Sequence, residues 1–249
     1  MRPFEDHFGA VSRRYATARP TYPEALFAWL AMVAPGHTLA WDCGAGNGQA
    51  SVALGEYFDE VVATDASAAQ LAEAMPHPRV TYRVAPAAVS DIADNAADIV
   101  CIAQALHWFP LDAFYAEVRR VLKPRGIVAA WTYAAFTIDH SAADAVVRAY
   151  HYGTVDAYWP PERTHVENGY RDMPFPFTPI EVPAFRMRTS WTLDQVTAYL
   201  RSWSATVRFV AAHGRDPVMD VERELRAVWG EPDRPLDVDW PLTVIAGRV

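Results

Sequence analysis

Cysteine is scarce in this chain of 249 residues: it has two, Cys43 and Cys101, far apart and each inside an apolar run. A disulfide framework or a zinc site needs more partners, so both thiols are expected in the core. His151 and His165 have no partner at ligand spacing. They read as ordinary loop residues, and no metal is expected. Basic residues do not predominate either. A formal net charge of −8 is the wrong sign for a general binder of phosphate backbones, so no nucleic-acid partner is expected. Long hydrophobic runs are also missing. The longest, LFAWLAMVA at residues 26–34, is too short to cross a bilayer. The opening MRPFEDHFGAVSRRY lacks the apolar stretch of a secretory signal. These absences predict a cytoplasmic protein without a membrane partner. No internal repeat and no low-complexity tract is evident.

Half of the chain is hydrophobic (51%) and about a fifth is charged (21%), a composition able to bury a large core. The expected plan is a single domain, 1–249. It divides into an N-terminal helical or lid segment (1–37), a ligand-binding core (38–133) and a C-terminal side (134–249). From residue 38 the pattern alternates. TLAWDC, EVVATD, RVTYRVA, AADIVCIAQA and GIVAAWTY read as strands, each a near-continuous apolar run. Between them lie the helical stretches GQASVALGEYF, SAAQLAEAM (with Ser67 as N-cap) and PLDAFYAEVRRVLK. Buried strands alternating with helices predict an α/β, doubly wound, mostly parallel sheet. After a Pro- and aromatic-rich segment at 158–179 the rhythm changes. AFRMRTSW reads as a sixth strand and TLDQVTAYLRSWSATVRFVAAH as one long amphipathic helix capped by Thr192. PVMDVERELRAVW reads as another helix, and DVDWPLTVIAGRV as a final, antiparallel strand. That makes seven strands with a helical cap inserted before the last.

The stretch LAWDCGAGNGQA, residues 39–50, carries the chemistry. Gly44, Gly46 and Gly48 follow a strand that ends in an acid, where open α/β sheets bind their ligands. A nicotinamide site prefers G-x-G-x-x-G, but Gln49 stands at the third glycine's place. A P-loop requires a lysine that the loop lacks. Asp42 would repel a pyrophosphate and suits a cationic ligand such as the ammonium and sulfonium of S-adenosylmethionine. Asp65 ends the second strand, 23 residues on, where a carboxylate can accept both hydroxyls of a ribose. The bland alternative makes the acids N-caps and the glycines a tight turn.

Asp42-Cys-Gly-Ala-Gly-Asn-Gly48, VVATD, ALHWF and EVRRVLKPRGIVAAW resemble the class I S-adenosylmethionine-dependent methyltransferases with a Rossmann-like fold, in particular the type 11 group. FGAVSRRYATARPTYP narrows the likeness to the trans-aconitate methyltransferase-like subgroup. The resemblance implies the cofactor S-adenosylmethionine, leaving as S-adenosylhomocysteine. By position, it implies that Asp42, Gly44, Ala45, Gly46, Asn47 and Gly48 line the methionine end. Asp65 and Ala66 would meet the ribose, Ala85, Pro86, Ala87 and Ala88 would flank the adenine, and Gln104 and Ala105 would sit beside the sulfonium. Tyr15 and Arg19 would reach the cofactor, with Arg19 and Tyr22 in the lid. Two departures stand out: Ala88 where many relatives carry an acid, and Arg125-Gly126 where they carry two glycines, expected to alter a surface turn.

On the acceptor side, His107 and Trp108 follow the fourth strand. His107 is a candidate catalytic base or acceptor-orienting group, against a packing role with its imidazole bonded to a carbonyl. A carboxylate acceptor would need no base, because the nucleophile is already ionised. Arg19 is a candidate anchor for an acidic acceptor. Trp203 and Arg208 are candidates for closing the pocket. The expected function is methyl transfer to a small molecule, a carboxylate oxygen being one target. A non-catalytic S-adenosylmethionine-binding protein and, less in keeping with Gln49 and Asp42, a nicotinamide-dependent dehydrogenase are the alternatives.

Overall fold

The computed structural model describes residues 20–249. Tyr15 and Arg19 lie outside the described residues. Five parallel strands form the heart of the molecule: β1 (Leu39–Cys43), β2 (Glu60–Asp65), β3 (Val80–Val84), β4 (Ala97–Ala103) and β5 (Leu122–Thr132). Their side chains alternate between two cores. Ile99, Cys101, Ala129 and Trp131 face one, and Val100, Ile102, Val128 and Ala130 face the other. Burial on both faces explains the unbroken apolar runs. It also keeps Cys43 and Cys101 buried as free thiols.

The strand order runs β3-β2-β1-β4-β5 and continues into β9 (Leu236–Arg248), which is antiparallel to β5. The order reverses between β1 and β4, so a crevice opens beyond their carboxyl ends. Among the described residues the sheet has nine strands, not seven. The two unexpected ones, β6 (Thr137–Ile138) and β7 (Thr178–Pro179), are two-residue pairings with β9, too short for any periodicity. The first half of β9 pairs with β8 (Phe185–Trp191), and the second half pairs with β5.

Helices cover both faces. Before the cap come α1 (Glu24–Val33), α2 (Gln49–Gly55), α3 (Ala68–Leu71), α4 (Leu111–Val121), α5 (Ser141–Ala149) and α6 (Arg163–Glu167). Ser67 caps α3, accepting from the Gln70 amide at 3.3 Å. That helix stops at Leu71 because none of its side chains is buried to hold a longer one. Arg125 is exposed and left-handed, φ 65°, a conformation that glycine would take without strain.

The single helix expected over 192–213 is two: α7 (Leu193–Arg201) and α8 (Ser204–His213). Thr192 opens α7 with a capping box that includes Gln195. At the break, the Ser202 hydroxyl donates to the Tyr199 carbonyl (2.6 Å) and Trp203 turns extended, φ −67° and ψ 136°. The indole thereby enters an aromatic core with Phe136, Tyr150, His151, Trp159 and Tyr199 at ring separations of 5.3–6.1 Å. With α9 (Val218–Trp229), these helices pack Val196, Leu200 and Leu225 against Val238 and Trp240 of β9. The cap is therefore bonded into the main core. No helix among the described residues is long and apolar enough to cross a membrane.

Trp203 is 8% exposed, so Trp203→Ala should remove about 3–5 kcal/mol of stability. A urea melt giving less than 1 kcal/mol would mean that the cap is not held by this residue.

Candidate active site

β1 delivers Asp42 to the centre of the sheet, fully buried between β2 and β4. Its Oδ2 accepts from the Ser51 hydroxyl of α2 at 2.5 Å, and its Oδ1 is buried without a hydrogen-bond partner among the described residues. Burial is the main force that lifts this carboxyl to about 7; the Ser51 bond opposes the shift and the nearby Asp65 charge adds to it. An acid held so expensively, with one oxygen unmatched, fits a cation bound against it.

The glycine loop follows. The amides of Gly44 and Ala45 donate to the Thr64 carbonyl at 2.8 and 3.0 Å, tying the loop to the end of β2. Gly44, Gly46 and Gly48 all have left-handed φ (77°, 56° and 80°), yet for different reasons. A Cβ on Gly44 would lie 2.6 Å from the Ala105 Cβ, and one on Gly48 would lie 2.1 Å from the Tyr82 hydroxyl. Among the described residues, one on Gly46 would meet only Gln70, at 3.7 Å. The first and third glycines serve contacts within the protein; around the middle one the described residues leave room for a side chain.

Asp65 Oδ2 accepts from the Gly46 amide (2.9 Å) and Oδ1 from the Ser67 amide (2.8 Å). The Asp65 carbonyl accepts from Ala85 at 3.0 Å, bringing the turn Ala85–Pro86–Ala87–Ala88 alongside Asp65 and exposed Ala66. The Asn47 carbonyl accepts from Met75. Gln49 Nε2 donates to the Pro20 carbonyl, so this side chain anchors the start of the described chain. Tyr22 packs edge-on against Trp131 and Tyr133 nearby.

Gln104 follows directly on β4, a non-glycine residue at φ 56°. Its amide is committed: Nε2 donates to the Tyr133 carbonyl (2.9 Å), while Oε1 accepts from the Tyr133 amide (3.1 Å) and the Thr132 hydroxyl. Beyond it a cleft of about 100 Å³ opens between the ends of β4 and β5, the 159–166 segment and the cap. His107, Trp108, Trp159, Arg163, Tyr199 and Trp203 are among its lining residues. Arg208 is not among them, because the break at Trp203 starts a new helix and resets the facing of its residues. The cation in the cleft is Arg163, whose guanidinium lies over the Trp159 ring at 4.4 Å and pairs with Glu167 at 3.3 Å. His107 Nδ1 is 3.1 Å from the Tyr170 hydroxyl. Burial, with Arg163 and His165 adding positive charge, pushes His107 down to about 3. His151 is not a loop residue on the surface: it is 1% exposed and likewise pushed down, to about 4. His165 pairs with Asp172 at 2.8 Å. Among the described residues no three His, Cys, Asp or Glu side chains gather as metal ligands would. A wider opening of about 580 Å³ lies on β6, β8 and β9, where Asp239 binds Arg186 and Arg188. Its lining shares no residue with the His107 cleft and includes none of the glycine loop.

The methyltransferase domain family matches residues 41–130, the span from β1 to β5. Over 251 aligned residues the chain is 31% identical to a methyltransferase of Dictyostelium discoideum, covering 98% of this chain and 95% of that one. It belongs to the class I S-adenosylmethionine-dependent methyltransferases. A solved structure of a type II methyltransferase from Anaeromyxobacter dehalogenans superposes with a TM-score of 0.87 at 47% identity, covering 92% of this chain and 97% of that one. An S-adenosylmethionine-dependent methyltransferase of Saccharomyces cerevisiae is 30% identical over about half of each chain. Membership of this methyltransferase family removes the dehydrogenase reading. The narrower trans-aconitate likeness rests on an N-terminal stretch that lies mostly outside the described residues.

Arg163 and Tyr170 were not found by sequence reasoning. They sit in the Pro- and aromatic-rich segment, where no periodicity marks which side chains turn inward. The methyltransferase loop itself supports a contrast between its glycines. Gly44→Ala should cost about 2–4 kcal/mol, adding a clash with Ala105 to the left-handed strain. Gly46→Ala should cost only about 1 kcal/mol. Equal losses in thermal unfolding would refute the separation of roles.

Proposed function

We propose that this enzyme transfers the methyl group of S-adenosylmethionine to a small acidic molecule, with a carboxylate oxygen as the nucleophile. The cofactor supplies an electrophilic methyl on a sulfonium. On this reading Asp42 faces its cationic end, and Gly44 to Gly48 leave room for the methionine portion, above all at Gly46. Asp65 and Ala66 hold the ribose, Ala85 to Ala88 flank the adenine, and Gln104 and Ala105 border the sulfonium. The unmatched Oδ1 of Asp42 is what supports a cationic ligand here.

The observation that carries the acceptor class is the pairing of Arg163 with a non-basic His107 in one cleft. A histidine pushed down to about 3 cannot hold a proton taken from a neutral nucleophile near pH 7. A nucleophile that arrives ionised needs no base, and the guanidinium would attract and orient it. Trp159, Tyr199 and Trp203 supply apolar walls for the remainder of a small acceptor. Labelled-methyl transfer to a panel of carboxylic acids, phenols and amines tests this directly. Turnover confined to phenols or amines would overturn the carboxylate assignment. Cofactor binding with no turnover across a wide panel would favour a non-catalytic binding protein.

Two measurements test the cofactor end. Asp65→Ala should weaken S-adenosylhomocysteine binding by about 1.5–3 kcal/mol; unchanged affinity in a folded variant would remove Asp65 from the site. The second concerns pH. The Asp42 carboxyl is raised from its ordinary value to about 7, so below that pH the ligand-free protein holds a proton there. A bound ammonium must expel this proton, and affinity should fall up to about tenfold per pH unit below 7 while changing little above it. Asp42→Asn should bind weakly, with a flat profile. A wild-type profile that is flat from pH 5.5 to 8 would show that Asp42 does not meet the cation.

A further inference from the structure

Tyr170 combines near-complete burial with an unusual backbone. It is 1% exposed, yet its backbone is left-handed at φ 61°, directly after Gly169 at φ 59°. For a tyrosine that conformation costs about 1 kcal/mol. The result is a phenol lodged beneath the loop after β4, with its oxygen 3.1 Å from His107 Nδ1.

A buried hydroxyl has one hydrogen to place. Burial raises the Tyr170 phenol far above its ordinary value, so that hydrogen stays on the oxygen. The imidazole nitrogen stands at hydrogen-bonding distance and is a stronger acceptor than an alcohol. The competing acceptor is Thr132 Oγ1, which also borders the phenol. Its own hydrogen is directed to Gln104 Oε1, an oxygen identified by the Tyr133 amide that also donates to it.

We propose that Tyr170 is a positioning residue: its hydroxyl donates to His107 Nδ1 and fixes the neutral imidazole as the Nε2–H tautomer, so that His107 offers a hydrogen-bond donor to an anionic acceptor in the cleft. Nε2 is not among the buried nitrogens left without partners, and the ring lines the cleft beside Arg163. An ionised oxygen there accepts from both the guanidinium and the imidazole N–H. A neutral hydroxyl or amine would find no acceptor on His107 for its own hydrogen. No proton changes hands at the ring. This assignment of the acceptor rests on the cleft being the methyl-acceptor site, whereas the tautomer does not.

Nitrogen-15 spectra of the histidine side chains test the tautomer on the ligand-free, full-length protein. The His107 signals are assigned by their loss in His107→Gln. The wild type should show a protonated Nε2 and a bare Nδ1. Tyr170→Phe should release that preference, giving a mixture or the Nδ1–H form. A protonated Nδ1 in the wild type, with the phenol turned to Thr132, overturns the proposal, as does an unchanged tautomer in Tyr170→Phe. Benzoate and benzamide then serve as acceptor probes. Benzoate should shift the Nε2–H resonance and benzamide should not. Tyr170→Phe should weaken benzoate binding about three- to tenfold while S-adenosylhomocysteine affinity stays within about twofold. If Nε2 carries the proton but benzoate and benzamide behave alike, the anionic-acceptor role fails and the tautomer assignment stands.

Discussion

A carboxyl group sealed inside the sheet, at the point where the strand order reverses, is the constraint on which the rest of this site depends. Asp42 sits on the central strand with β2 on one side and β4 on the other. Solvent therefore cannot relieve it; Ser51 satisfies one oxygen only. Desolvating such a group is unfavourable unless charge or hydrogen bonds compensate. The surrounding structure retains it by bringing α2, the glycine loop and the end of β2 close around it. The same closeness explains why Gly44 cannot carry a side chain: the loop after β4 presses Ala105 and Phe109 against it.

The two ends of the site differ in electrostatic character. Among the described residues the charged side chains at the glycine loop are acids, Asp42 and Asp65. At the cleft stand the Arg163 guanidinium, with Glu167 paired behind it, and two histidines that burial and positive neighbours keep neutral, His107 and His151. Arg163 links them: its charge depresses both rings, and its plane lies on Trp159. A cationic donor at one end and an anionic acceptor at the other would each find a complementary surface, and both would be drawn toward the same crevice. In such a site, holding two partners in line does more than acid–base chemistry.

The C-terminal helices contribute differently from what their spacing suggested. A lid that swings would need a weakly packed hinge. Trp203, at the junction of α7 and α8, is instead enclosed by Tyr199 of α7 and by aromatic rings from three other segments, and Thr206 ties back to the Leu200 carbonyl at 2.7 Å. The cap thus forms a closely packed wall of the cleft, and Tyr199 and Trp203 reach the cleft from it.

Much of this was legible in the amino-acid order, for a physical reason: neighbours in sequence settle local backbone. An apolar run ending in Asp42, followed by alternate glycines, identifies a strand and its ligand loop whatever surrounds them. Asp65 was found the same way, as the acid that ends the second apolar run, whereas Gln104 came only from the family resemblance. The parallel plan also follows, since only strands buried on both faces lack polar alternation. What depended on tertiary structure was which side chains meet across long separations. Nothing local distinguishes Gly46, which no described residue crowds, from Gly44 and Gly48, which are pressed on Ala105 and Tyr82. Nor does helical spacing reveal that Trp203 breaks its helix, which takes Arg208 out of the cleft. Arg163 and Tyr170 come from an irregular segment that borders His107 only once the chain has folded back over the sheet. The neutral state of His107 was equally invisible, because it arises from burial and from charges more than fifty residues away in sequence.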